Sequence, residues 1–111
     1  MIKAIPGQSF EEWLENQQQI ANTEKFDSTS HHWATSAAES EENICIEVLQ
    51  SFKQSEHSDK FLNGLINKRK EEEQTKNAAI SDYEGFMANT RMNTYTEIIK
   101  QYSSEHLNSS E

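Results

Sequence analysis

The sequence predicts an all-α protein, a small helical hairpin or bundle of three to four helices in which the third is long. Three observations carry this. From Ser58 to Tyr102 one apolar stripe keeps its phase at 100° per residue, through Phe61, Leu62, Leu65, Ile66, Ala79, Ile80, Tyr83, Phe86, Met87, Tyr95, Ile98 and Tyr102. Two shorter stretches before it show the same periodicity behind cap-forming residues. With one proline and three glycines, no β-hairpin signal is present.

Residues 1–8 read as a flexible arm ending in the turn pair Pro6-Gly7. Ser9-Phe-Glu-Glu12 has capping-box spacing, with Glu11 and Glu12 placed where the helix dipole favours anions. Phe10, Trp13, Leu14, Gln17, Ile20 and Ala21 then mark a first helix to about Asn22. Asp27-Ser-Thr-Ser30 offers the next caps. Trp33, Ala34, Ala37, Ala38, Ile44, Cys45, Val48, Leu49 and Phe52 define a second helix, about Ser30 to Gln54. Ser55-Glu-His-Ser-Asp59 separates it from the long stretch.

That stretch is either one continuous helix or two sharing a phase. Its middle, Asn67 to Asn77, holds no apolar residue but is rich in helix formers, which favours continuity and a length of about 65 Å. A break, if there is one, falls near 74–77 or 89–94, where Thr94 and Glu97 have capping-box spacing. Gly64 and Gly85 mark either close approach of a neighbouring helix or a bend. Residues 103–111 read as a flexible tail.

Two residues interrupt the second helix's pattern: Glu41 lies in the middle of its apolar stripe, and Ile46 lies on the acidic face. If the second helix and the long stretch fold back on each other around residues 55–56, Glu41 falls opposite Arg69. That predicts a partly buried Glu41–Arg69 pair fixing register. The first helix would then run in line with the second and help to cover residues 83–102.

Composition bounds the function. The 111 residues make one domain with a thin core, since Leu, Ile, Val and Phe together supply 20 of them. Acids outnumber bases 19 to 10, for a net charge of −9, which disfavours direct nucleic-acid binding. Lys68-Arg69-Lys70 is followed at once by three glutamates and reads as a solvated face. No signal-peptide run or membrane-spanning window is present, so a cytoplasmic location is expected.

No catalytic, cofactor-binding or metal-binding set can be assembled. The scattered glycines make no phosphate-cradling loop. Asp27 and His31 have ligand spacing but are only two. Cys45 sits on an apolar face, and His57 lies about three turns away on the same element. The expectation is a non-enzymatic, acidic protein-binding factor, an inhibitor or regulator that masks a basic surface of a nucleic-acid-handling partner. Its candidate contact residues are Glu39, Glu42, Ile46 and Glu47 on the second helix and Tyr83, Phe86, Met87, Tyr95, Ile98 and Tyr102 on the long stretch. The alternative is an assembly protein forming a helical homodimer.

Overall fold

In a computed structural model, residues 2–5, 7–27, 32–54 and 59–108 are described. They form four helices, α1 (Phe10–Asp27), α2 (His32–Gln54), α3 (Asp59–Asn77) and α4 (Asp82–Asn108), with no strand among the described residues. The caps expected within 28–31 and 55–58, Pro6, His31, His57 and the end of the tail, 109–111, lie outside them.

Ser9 starts α1 as its spacing predicts: its Oγ accepts the Glu12 N–H at 3.3 Å, and its carbonyl accepts the Trp13 N–H at 2.9 Å. The helix continues past Asn22 to Asp27. The long stretch is two helices, broken at residues 78–81. The end of α3 tightens there, as the Ala78 N–H reaches Gln74 and the Ala79 N–H reaches Lys76, one residue fewer back. Ser81 then caps α4, its Oγ accepting the Glu84 N–H at 3.1 Å, while the Glu84 carboxylate accepts the Ile80 N–H at 3.4 Å. Ser81-Asp-Tyr-Glu84 is thus the operative capping box. Thr94, the candidate restart, is mid-helix, its hydroxyl bonded back to the Thr90 carbonyl at 2.8 Å.

The chain reverses at 78–81, and the expected lengthwise pairing of α2 with the helix after it gives way to a pairing of α3 with α4. α3 lies antiparallel on α4, shown by Arg91–Glu72 at 3.0 Å and by the contact of Phe61 with Tyr102 at the far end. α1 lies antiparallel beside α2 rather than in line with it, with Phe10 against Phe52 and Asn22 and Lys25 on Glu42. The two hairpins meet where α2 packs along α4, and α2 and α3 make no extensive contact. The longest dimension is 44 Å, close to the ~40 Å of 27-residue α4 and well short of a continuous 58–102 helix.

This topology displaces the Glu41–Arg69 pair. Arg69 donates through Nε to Thr96 Oγ1 at 2.7 Å and faces Glu73 at 3.8 Å, both on the α3–α4 hairpin. Glu41 is buried, as its place in the stripe implied, but within a cleft between α2 and α4.

The core gathers where all four helices come together. Phe10, Phe52, Phe61 and Tyr102, one from each helix, pack with ring centroids 4.9–6.0 Å apart. Trp13, Leu14, Cys45 and Ile98 beside them are fully buried. The amino-terminal arm, expected to be flexible, is tied to this core. Ile2 is buried, Trp13 Nε1 donates to the Lys3 carbonyl at 2.9 Å, and the Ala4 N–H reaches Glu97 at 3.4 Å. Buried Gln101 accepts the Ile5 N–H at 2.7 Å and donates to the carbonyls of Ile5 and Gln8 at 3.0 and 2.8 Å. Of the expected tail, 103–108 continue α4.

Candidate functional site

The end of the bundle away from the aromatic core carries a group of exposed apolar side chains among the described residues. There α2 begins, α3 ends and α4 starts. Trp33, on the first turn of α2, meets Tyr83 and Phe86 on the first turns of α4. Its ring centroid lies 5.6 Å from Tyr83 and 5.3 Å from Phe86. The three remain 44%, 40% and 38% exposed. Ile80, in the turn leading into α4, is 96% exposed. Four large apolar side chains, with Trp33 in contact with both Tyr83 and Phe86, therefore face solvent near the start of α4. Solitary exposed hydrophobes are ordinary, whereas a contiguous group containing Trp and Tyr is the composition of a contact surface. Asp82 and Glu84 flank Tyr83 in sequence and are exposed, so the patch carries a negative border.

The other expected contact residues divide sharply. Met87, Ile98 and Tyr102 are buried in the fold and present nothing to a partner, while Tyr95, also buried, lies at the foot of the gap between α2 and α3. Tyr95 lies beneath α2 and α3, and burial, together with Glu47, Glu72 and Glu71, pushes its hydroxyl up to about 12. Glu42 is not part of an open acidic face. It is buried between α1 and α2, accepting from Asn22 Nδ2 at 2.6 Å and Lys25 Nζ at 3.0 Å. Those two hydrogen bonds, Lys25 first, hold its carboxyl below the usual value. Glu39 and Glu47 are exposed and Ile46 is half-buried. The acidic face thus keeps two of its three expected glutamates, one turn above and one turn below the buried one.

Glu41, one residue from Glu42, shows the opposite behaviour. Burial raises its carboxyl, with the amino-terminal charge acting downward and Glu24 adding to the rise. Burial also pushes the Cys45 thiol up to about 12, with Glu41 and Glu42 adding to it. Such a thiol carries almost no thiolate near neutral pH. Among the described residues, no group of three or more His, Cys, Asp or Glu is placed to hold a metal. No helix among them is long and apolar enough to cross a membrane.

Trp33 and Ile80 were not among the sequence-level candidates. Both fall on apolar stripes, and a stripe residue reads as core unless one knows where its cover stops. The available signal was position: Trp33 opens its helix, and Ile80 directly precedes the Ser81-x-x-Glu84 box that marks a helix start. Comparison of the chain with protein-family models, curated proteins and solved structures finds no match.

Proposed function

We propose that this chain is a non-enzymatic, acidic protein-binding factor whose primary contact surface is the Trp33–Tyr83–Phe86 cluster together with Ile80. The observation that carries the reading is that Trp33, packed on both Tyr83 and Phe86, and one almost fully exposed isoleucine occupy a single end of the bundle. Residues of these types supply most of the binding energy at protein interfaces, from small, well-packed clusters. The net charge of −9 and the Asp82 and Glu84 border favour a partner surface that is basic around an apolar centre. Arginine suits such a place because its guanidinium can stack on Trp33 or Tyr83 while meeting a carboxylate. A basic nucleic-acid-handling surface is one example of that chemistry. The non-enzymatic part draws support from Cys45, whose buried, high-pKa thiol is the chain's sole cysteine nucleophile.

The homodimer reading rested on a continuous helix with an uncovered aromatic half. That motive is weakened, because α2, α3 and the arm cover the inner face of α4. A dimer would have to use the aromatic end instead.

The test compares the full chain with the double variant Trp33→Ser, Phe86→Ser as bait in lysate of the source cells. The expected result is a protein retained by the native chain and lost with the variant, at unchanged helicity. Binding of that protein should weaken by roughly thirtyfold or more, as for a hot-spot truncation of about 2 kcal/mol. Identical capture by both forms would refute the assignment of the surface. Binding that does not respond to salt would refute the basic character of the partner. A mass that doubles with concentration, and does so only in the native chain, would establish self-association instead.

A further inference from the structure

A second surface, independent of the aromatic end, is defined by a glycine. Gly64 lies in the interior of α3, where glycine is unfavourable by about 1 kcal/mol relative to alanine. Such a residue is expected where a neighbouring helix approaches closely or the backbone bends. Neither holds within this chain. A methyl group built on Gly64 would meet no atom within 4 Å, its φ is not positive, and α3 runs unbroken through it. The space in front of it belongs to a groove of about 430 Å³ left where α2 and α3 both pack on α4 and meet each other only near Phe52 and Phe61.

The groove has a built cross-section. Its floor is apolar, made of Val48, Phe61, Leu65 and the ring of Tyr95. One wall is a single ridge of α3, Lys60, Gly64 and Lys68 at i, i+4 and i+8, which spans about 12 Å. The opposite wall, on α2, carries Glu47, Ser51 and Gln54. Lys60, Lys68 and Glu47 are exposed, and none makes an ion pair among the described residues. An apolar floor between walls of opposite charge, with a notch midway along one wall, is the receiving side of a helix-in-groove contact.

We propose that the groove between α2 and α3 receives an amphipathic helix of a partner protein, its apolar face on Val48, Leu65 and Tyr95, a large side chain in the Gly64 notch, and an acidic edge against Lys60 and Lys68. The commitment to an acidic edge follows from charge: these are two unpaired cations bordering the groove on a chain that is otherwise strongly acidic. Glu47 sets the opposite edge, which should be basic, so the occupant's orientation is specified by the two walls together.

The experiment titrates the isotope-labelled full chain, followed by NMR, with two stapled helical peptides of ~14 residues that share a leucine face. One carries glutamates along the edge that would meet α3, and the other carries lysines there. The expected result is shift changes at Val48, Gly64 and Leu65 but not at Trp33, with the glutamate peptide bound about tenfold more tightly. The double variant Lys60→Glu, Lys68→Glu should reverse that preference. Gly64→Leu, which keeps α3 helical, should weaken binding at least tenfold by filling the notch. The proposal is overturned if neither peptide perturbs the groove at millimolar concentration, if the charge reversal leaves the preference unchanged, or if Gly64→Leu binds as the native chain does. It is also overturned if the chain's own mass doubles through a contact that Gly64→Leu abolishes, because the occupant is then a second copy. Shifts confined to Trp33 and Phe86 would overturn this site while leaving the aromatic surface standing.

Discussion

Gly64→Ala should make the isolated protein more stable, and by a calculable amount. The position is mid-helix and exposed, and the added methyl meets nothing within 4 Å, so no packing or strain contribution accompanies the change. What remains is the difference in helix propensity, about 0.8–1.0 kcal/mol, arising largely from the greater backbone freedom of glycine in the unfolded chain. With a urea slope of roughly 1–2 kcal/mol per molar for a domain of this size, the unfolding midpoint should rise by about 0.5–1 M. The slope itself should not change, since the surface exposed on unfolding is nearly the same. Equilibrium urea titration followed by circular dichroism measures both quantities. A midpoint that stays put or falls would show that Gly64 answers a requirement inside the chain, such as a bend, and would remove the premise that its open space is kept for another molecule.

Three further expectations follow from buried polar groups. Gln101→Leu removes three hydrogen bonds to the arm and should cost about 2–3 kcal/mol by urea unfolding. It should also accelerate hydrogen exchange at Ile5, and unchanged exchange would refute the tether. Glu41 and Glu42 should act on pH-dependent stability with opposite signs. Glu42 is held low, so its contribution is present above the ordinary value near 4.5 and is lost as pH falls through its lower folded pKa. Glu41 is held high, so its contribution is present below about 4.5 and is lost as pH rises through its higher folded pKa. Glu42→Gln should therefore flatten the acid limb, and Glu41→Gln should raise stability at neutral pH. Like responses from the two variants would contradict the assignment. Cys45 should resist a thiol reagent at pH 8 in the folded protein and react fully in urea, and rapid native labelling would disprove its burial.

The helices were legible in the sequence because they are written locally. Ser9 and its acidic first turn fixed the start of α1, and the stripe of α2 placed Ile44, Cys45, Val48 and Phe52 in the core. Partnership was not legible. The pairing of Glu41 with Arg69 assumed that α2 and the helix after it turn back around residues 55–56 and then pack along their whole length. The decisive reversal lies at 78–81, which contains neither proline nor glycine and looks helical residue by residue. Ser81-x-x-Glu84 was the signal there, outweighed by the helix formers before it. Glu42 misled for a related reason: a charged residue beside Glu39 reads as solvated unless Asn22 and Lys25 of α1 are known to lie across from it. Its burial depends on the order of helices, which single-helix periodicity does not encode.

The order of helices also explains why so thin a core suffices and why two surfaces are left over. α4 lies at the centre, with α2 on one side, α3 on another and the arm joined through Ala4 and Ile5 to Glu97 and Gln101 in its carboxyl-terminal half. One helix thus serves as the floor for α2, α3 and the arm, while α1 packs mainly on α2, and a limited set of large side chains is used several times over. The cost appears wherever that floor outruns its cover. At the first turns of α4 the outcome is Tyr83 and Phe86 with Trp33, and midway along it the outcome is Tyr95 beneath the α2–α3 gap. A fifth helix would close that gap within a larger domain. In this chain the gap keeps a glycine where alanine would stabilise and two lysines with no ion pair among the described residues, features that intramolecular folding does not require. The associations proposed for the aromatic end and the groove would cover both by the same burial of apolar surface that holds the rest of α4.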